Sequence, residues 1–286
     1  MRVLILGSDT PLGRASAAVQ EQWGRHDMVL LSRAACRWKS ERQAKKAVVR
    51  TKCDIVVDVR IEAAGDGGDQ IQELDLNRCR WVAKACQRTE IVYLYVSSSR
   101  VFSGQFNRAY TEEDYPDNEE TVGVLLASAE QLVRDICERH LILRMGPIFS
   151  HEGTNLITQM LGPMGRGSSL MLDNNLRGGP VAADDAARVI FALLDQLSTG
   201  VEPWGIYNYC SSDTATYYEF AEALLASASQ FSEFSPAAVQ LEREPDGLVP
   251  LNRALNCSKI RNTFAIKQVS WRSTIADIVK QYYERH

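Results

Sequence analysis

Along the first half of the chain, short apolar runs alternate with stretches in which apolar residues recur every three or four positions. Val3–Leu6, Met28–Leu31, Ile55–Val59, Ile91–Val96 and Leu141–Arg144 are almost wholly apolar and read as strands. Between them, Pro11–Trp23 (Leu12, Ala15, Val19, Trp23), Ser40–Val49, Ile71–Gln87 and Leu125–Arg139 carry helical spacing. Strands apolar on both faces, alternating with helices, predict an α/β fold built on a doubly wound parallel sheet. The second half is less regular. Phe149 to Pro180 is rich in Gly, Asn, Ser and Pro, and reads as loops around one helix near Asn155–Leu161. Asp184 is placed to cap a helix running to Leu197, Thr216 opens another to about Ala226, and Trp271–Tyr283 closes the chain.

With 286 residues, of which 45% are hydrophobic and 24% charged, the chain can build a core without disulfide staples. The net charge is −4 and no long Lys/Arg run occurs, so the electrostatic footprint of a nucleic-acid binder is missing. No apolar run approaches the roughly 20 residues that span a bilayer, and Met1-Arg2 leads straight into the first strand, so neither a membrane span nor a leader is expected. Seven cysteines without a CxxC pair predict buried free thiols and a cytoplasmic setting. The four histidines share no ligand-like spacing, so no metal is expected. The acidic run Thr111–Glu120 reads as a solvated loop.

Gly7-Ser-Asp-Thr10-Pro-Leu-Gly13 follows the first strand and opens the first helix. A dinucleotide-binding turn needs glycines for the tight turn, for approach of the pyrophosphate and for helix–strand packing. Gly7 and Gly13 suit the first and third roles, whereas Thr10 stands in the middle place, where its branched side chain crowds the pyrophosphate. Two readings stand: a dinucleotide cradle using Gly7, Thr10, Pro11, Leu12 and Gly13, or an ordinary strand–turn–helix. At the end of the second strand Ser32-Arg33 replaces the acid that would hold a ribose 2′-hydroxyl, a change that suits a 2′-phosphate and therefore NADP(H).

Farther along, Tyr95-Val-Ser-Ser-Ser-Arg-Val-Phe-Ser-Gly104, Tyr110-Thr-Glu-Glu-Asp114, Leu141-Ile-Leu-Arg144 and Asp173–Asp185 occur in a characteristic order. Gly205-Ile-Tyr-Asn, Tyr218–Ala221, Pro250–Asn256, Ser258-Lys-Ile260 and Trp271-Arg272 follow. The ordered set resembles the dTDP-4-dehydrorhamnose reductase family of extended short-chain dehydrogenases/reductases. The resemblance implies a modified Rossmann domain over 1–148, with contributions from about 180–205, and a smaller sugar-nucleotide domain over 149–286. It adds Asp58, Val59, Arg60, Val96 and Ser97 to the cofactor side, and places Ser98, Ser99, Arg100, Val101, Asn155, Arg177 and Pro180 on the substrate side. The family also resembles the regulatory beta subunit of methionine adenosyltransferase, so a protein partner or a homo-oligomer is a further expectation.

Reduction of a ketone requires a proton for the developing alkoxide. The family resemblance implies that a Tyr supplies it, with a Lys four residues later lowering the Tyr pKa. Aligning the helix on Gly123 and Glu130 puts Val122 at the Tyr position and Leu126 at the Lys position. No lysine lies between Lys84 and Lys259, so no shifted register rebuilds the pair. Ser98 alone survives, and it equally suits a strand-end hydroxyl that satisfies local backbone. The expectation is a relative that binds NADP(H), a nucleotide-sugar or both and is impaired in reduction. The alternatives are a working reductase with another acid, such as Tyr115, and a partner-binding subunit.

Overall fold

The computed structural model describes residues 1–61, 71–231, 234–235, 239–244 and 250–285. The regular half runs β1 (Arg2–Leu6), α1 (Pro11–Trp23), β2 (Asp27–Leu31), α2 (Glu41–Thr51), β3 (Ile55–Asp58), α3 (Glu73–Thr89), β4 (Val92–Ser98), α4 (Thr121–Ile136) and β5 (His140–Met145). It continues with β6 (Ile148–Phe149), α5 (Leu156–Gly165), β7 (Ser169–Leu172), β8 (Leu176–Arg177), β9 (Val181–Ala182), α6 (Ala183–Leu197) and β10 (Gly205–Tyr209). The last elements are α7 (Tyr217–Ala228), β11 (Gln240–Arg243), β12 (Leu251–Asn252), α8 (Ser258–Phe264) and α9 (Arg272–Arg285).

The central sheet has the order β10-β5-β4-β3-β1-β2, with every pair parallel. Its inner strands are buried along their length, as runs such as Val3–Leu6 and Ile55–Val57 require. Helices cover the sheet and join it in one core that includes Leu4, Val56, Leu94, Leu143 and Ile190. A second core gathers Phe149, Leu161, Phe220, Leu224, Trp271 and Ile278 from the segments beyond β5. The chain crosses between the two cores more than once: α6 and β10 return to the sheet after α5, and α7 and α9 pack together in the second core.

Several boundaries differ from the sequence reading. The α4 helix starts at Thr121, a turn before Leu125, because Glu120 at its N-cap makes no side-chain cap bond and leaves no start signal. Asp184 does not cap α6: Ala182 holds that position, and Asp184 and Asp185 lie in the first turn, where carboxylates favour the helix dipole. Gly162 and Pro163, read as loop, belong to the C-terminal part of α5. The seven cysteines are buried and unpaired as disulfides.

Candidate functional site

The end of β1 and the start of α1 meet at a turn that needs both its glycines. Gly7 has φ of +99°, and a Cβ on Gly13 would lie 2.2 Å from the Gly7 carbonyl oxygen, so α1 can begin this close to β1 only with glycine there. Thr10 is wholly buried at the N-cap, where its Oγ1 accepts the Gly13 N–H at 3.0 Å. Pro11 sits at the start of the helix and Leu12 in the core. The threonine therefore takes one of the N–H groups that a helix N-terminus offers to a phosphate.

At the end of β2, the Asp9 carboxylate reaches across from the turn. It accepts the Arg33 backbone N–H at 2.6 Å and the Arg33 Nε–H at 3.1 Å. Burial works against the charge of Asp9, but the Arg33 hydrogen bonds outweigh it and hold the carboxyl below its ordinary pKa. Ser32 Oγ accepts the Ala35 N–H at 3.2 Å. Asp9 went unrecognised in the sequence because its partner lies on the far side of α1 and no periodic pattern joins them.

The end of β3 is more deeply closed. Asp58 has no exposed surface, and Arg60 turns back onto it with Nε–Oδ1 of 2.8 Å and Nη2–Oδ2 of 2.6 Å. The Tyr93 hydroxyl donates to Asp58 Oδ2 at 2.8 Å, and the Arg60 guanidinium carbon lies 5.4 Å from the Trp38 ring centre. The Arg60 side chain is only 8% exposed. Burial opposes its charge, but Asp58 more than restores it, and the guanidinium is held protonated. Burial, and then the Asp58 charge, push the Tyr93 phenol far up; burial pushes the neighbouring Cys36 thiol up to about 12. Val59 is buried in the core behind this pair. The end of β3, at the crevice between β1 and β3, thus carries a buried ion pair of the protein's own.

Beside it, β4 carries Val96, Ser97 and Ser98. Val96 is buried in the core, and Ser97 Oγ donates to Glu130 at 2.6 Å. Glu130 in turn pairs with Arg144 at 2.7 Å, both side chains 1% exposed. Ser98 Oγ accepts the Arg100 backbone N–H at 3.2 Å, the local role weighed for it from sequence. On α4, Leu126 is packed in the core and Val122 lies half-buried against it. Tyr115 is 84% exposed and lines a separate groove with Leu76, Arg80 and Val124. The Tyr110 hydroxyl is buried and accepts the Gly104 N–H at 3.0 Å.

Beyond the ends of β4 and β5 lies a cavity of about 380 Å³ reaching into the second core. It brings together Ser99, Arg100, Arg177 and Pro180 from the sequence reading, and adds Arg253 and Glu120. Arg253 and Arg100 face Glu120 at 3.5 and 3.9 Å, and Arg177 pairs with Glu219. The Arg253 Nε is buried without a hydrogen-bond partner among the described residues. Leu156, Phe220 and Pro147 give the cavity an apolar wall. Asn155 and Val101 are not among its lining residues. Asn155 caps α5, accepting the Ile157 N–H at 3.0 Å, and Val101 is buried, its carbonyl accepting the Asn118 N–H at 3.1 Å. Arg253 was visible in Pro250–Asn256, but only its distance from Glu120 in space gives it a place here.

The acidic run is largely engaged within the molecule. Asp114 pairs with Arg108 at 2.7 Å, Asp117 accepts the Ser103 hydroxyl at 2.6 Å, and Glu112 accepts the Asn208 N–H at 2.9 Å. Among the described residues no group of three or more His, Cys, Asp or Glu could hold a metal ion, and no helix is long and apolar enough to cross a membrane.

Residues 1–284 match the RmlD substrate binding domain family. The chain is 23% identical over 287 aligned residues to a dTDP-4-dehydrorhamnose reductase of Aggregatibacter actinomycetemcomitans, covering 97% of this chain and 98% of that one. It is 26% identical to the spore coat polysaccharide biosynthesis protein SpsK of Bacillus subtilis, over 78% of each chain. Its fold is similar to that of a dTDP-4-dehydrorhamnose reductase from Clostridium acetobutylicum (TM-score 0.83, 16% identity, 99% of this chain and 100% of that chain). A Bacillus anthracis dTDP-4-dehydrorhamnose reductase crystallised with NADP is also similar (TM-score 0.79, 18% identity, 98% of each chain). The Rossmann-like parallel sheet, the ordered motifs and the match along nearly the whole chain lead to one assignment: this chain belongs to the RmlD family of extended short-chain dehydrogenases/reductases.

Proposed function

We propose that this chain binds a sugar nucleotide in the arginine-lined cavity and does not reduce it. The observation that carries this reading is the pair Val122 and Leu126. Both are aliphatic and packed against the core, where a proton donor and its lysine are implied. A hydride added to a keto sugar leaves an alkoxide, and a positioned acid at that point contributes roughly 10²–10⁴ in rate. Ser98 remains nearby, yet a serine hydroxyl without a relay behind it does not replace a phenol. Tyr115, the alternative acid, lies in a different groove.

The binding half of the reading rests on Arg100, Arg177 and Arg253 around an apolar-walled space. Guanidinium groups suit a diphosphate, with charge-assisted and often bidentate hydrogen bonds. The names of the relatives supply the ligand class, a dTDP-linked deoxysugar. In this reading the segment 149–286 contributes most of the sugar-nucleotide side. The decisive assay offers NADPH and dTDP-4-keto-6-deoxyglucose to the purified chain. The expected outcome is no turnover, and rates of about 1–10³ s⁻¹ would sink the proposal. A calorimetric titration with dTDP tests the binding half separately, and the absence of any saturable heat would remove it.

A further inference from the structure

The crevice between β1 and β3 contains more than the loss of a proton donor explains. Strand order reverses there, since β2 flanks β1 on one side and β3 on the other. In an open parallel sheet a ligand lies outside the strand ends at such a reversal. Here that space is taken by side chains of the protein itself. Arg60 is clamped on buried Asp58, and its N, Cα and Cγ lie 3.1–3.2 Å from the point where a side chain on Gly7 would begin. The Arg60 backbone and the root of its side chain therefore lie against Gly7, in the turn that would cradle a pyrophosphate. At the outer edge, Asp9 already fills the position between the Arg33 amide and guanidinium that a 2′-phosphate would use. Thr10 engages the Gly13 N–H at the mouth of α1.

We infer that Asp58–Arg60 and Asp9–Arg33 act as built-in occupants of the dinucleotide crevice, so that the chain does not take up NAD(P)H. The argument is energetic as well as steric. A dinucleotide can enter only if Arg60 leaves Asp58, and breaking a buried pair strands a charge without water. That penalty corresponds to a loss of affinity on the order of a thousandfold. An incoming 2′-phosphate must also displace Asp9, which stays tethered close by as a like charge. The sugar-nucleotide reading does not depend on this inference, because its cavity lies elsewhere and is lined by other residues.

The test is calorimetry on the full chain with NADPH, NADH and dTDP titrated separately, each to about 1 mM. Neither dinucleotide is expected to give saturable heat, whatever dTDP does. Saturable NADPH binding with a Kd below about 100 μM overturns the inference. A second arm uses Asp9→Asn/Thr10→Gly/Asp58→Asn/Arg60→Ala, which removes both pairs together and so leaves no buried charge unmatched. If this variant keeps the wild-type circular dichroism, its NADPH affinity should rise at least about tenfold, and no gain refutes the role given to these residues. If it does not fold, the milder Asp9→Asn/Thr10→Gly variant takes its place, with a smaller gain expected and an unchanged titration counting against the inference.

Discussion

The β1–β3 crevice and the cavity beyond β4 both gather arginines and carboxylates, but the surroundings of those charges differ. In the crevice, Asp58 and Arg60 are 0% and 8% exposed and answer each other with two hydrogen bonds. In the cavity, Glu120 keeps 57% of its side-chain surface while facing Arg253 at 3.5 Å, and Arg177 keeps 43% while pairing with Glu219. A buried, matched pair belongs to the structure and resists exchange. A partly solvated set can trade its carboxylate contacts for those of an arriving anion at smaller cost. On the readings proposed above, the same residue types close one site and leave the other open.

The strongest way to break this contrast is to remove one arginine from each place and compare unfolding in urea. Arg60→Met should lower stability by about 3–5 kcal/mol, because Asp58 is left buried and unmatched. Arg177→Ala should cost less than about 1 kcal/mol, as an exposed ion pair does. Equal costs would show that the two regions do not differ as described. Next in size is the effect on ligand uptake. Arg253→Ala should weaken dTDP binding about tenfold or more, the worth of a charge-assisted hydrogen bond, with no change in the melting temperature beyond a few degrees. An unaltered titration would detach Arg253 from the cavity's chemistry. The smallest effect sharpens the role of the turn: Thr10→Ala should lose about 1 kcal/mol as a missing N-cap, and Thr10→Gly only a few tenths. Similar losses for both would mean that the hydroxyl bond to Gly13 contributes little.

Much of the fold was legible because its signals are local. All-apolar runs such as Val3–Leu6 and Ile55–Val57 read as inner strands, and Thr10-Pro11 marks the start of α1 in a few residues. Where the signal was weak, as at the uncapped start of α4, the boundary was missed by a turn. For the site, the aligned helix made legible only that Val122 and Leu126 stand where the resemblance implies a Tyr and a Lys. What it contains instead was not. Asp9 meets Arg33 across α1, and Glu120 meets Arg253 across 133 residues of sequence, contacts that no spacing rule encodes. The resemblance places Arg60 on the cofactor side, but its fold-back onto Asp58 depends on the burial that Tyr93 and Trp38 create around it.

The late return of β10 to the sheet has a consequence for how the protein is made. Gly205–Tyr209 pairs with β5 and forms one edge of the sheet, although more than fifty residues separate them in the chain. While the polypeptide is still growing on the ribosome, β5 must wait with one side unpaired, and its open row of backbone N–H and C=O groups is a template for other nascent chains. Release of a fragment that stops before Gly205 should therefore yield an aggregating product, and chaperone demand during synthesis should persist until that last strand has emerged.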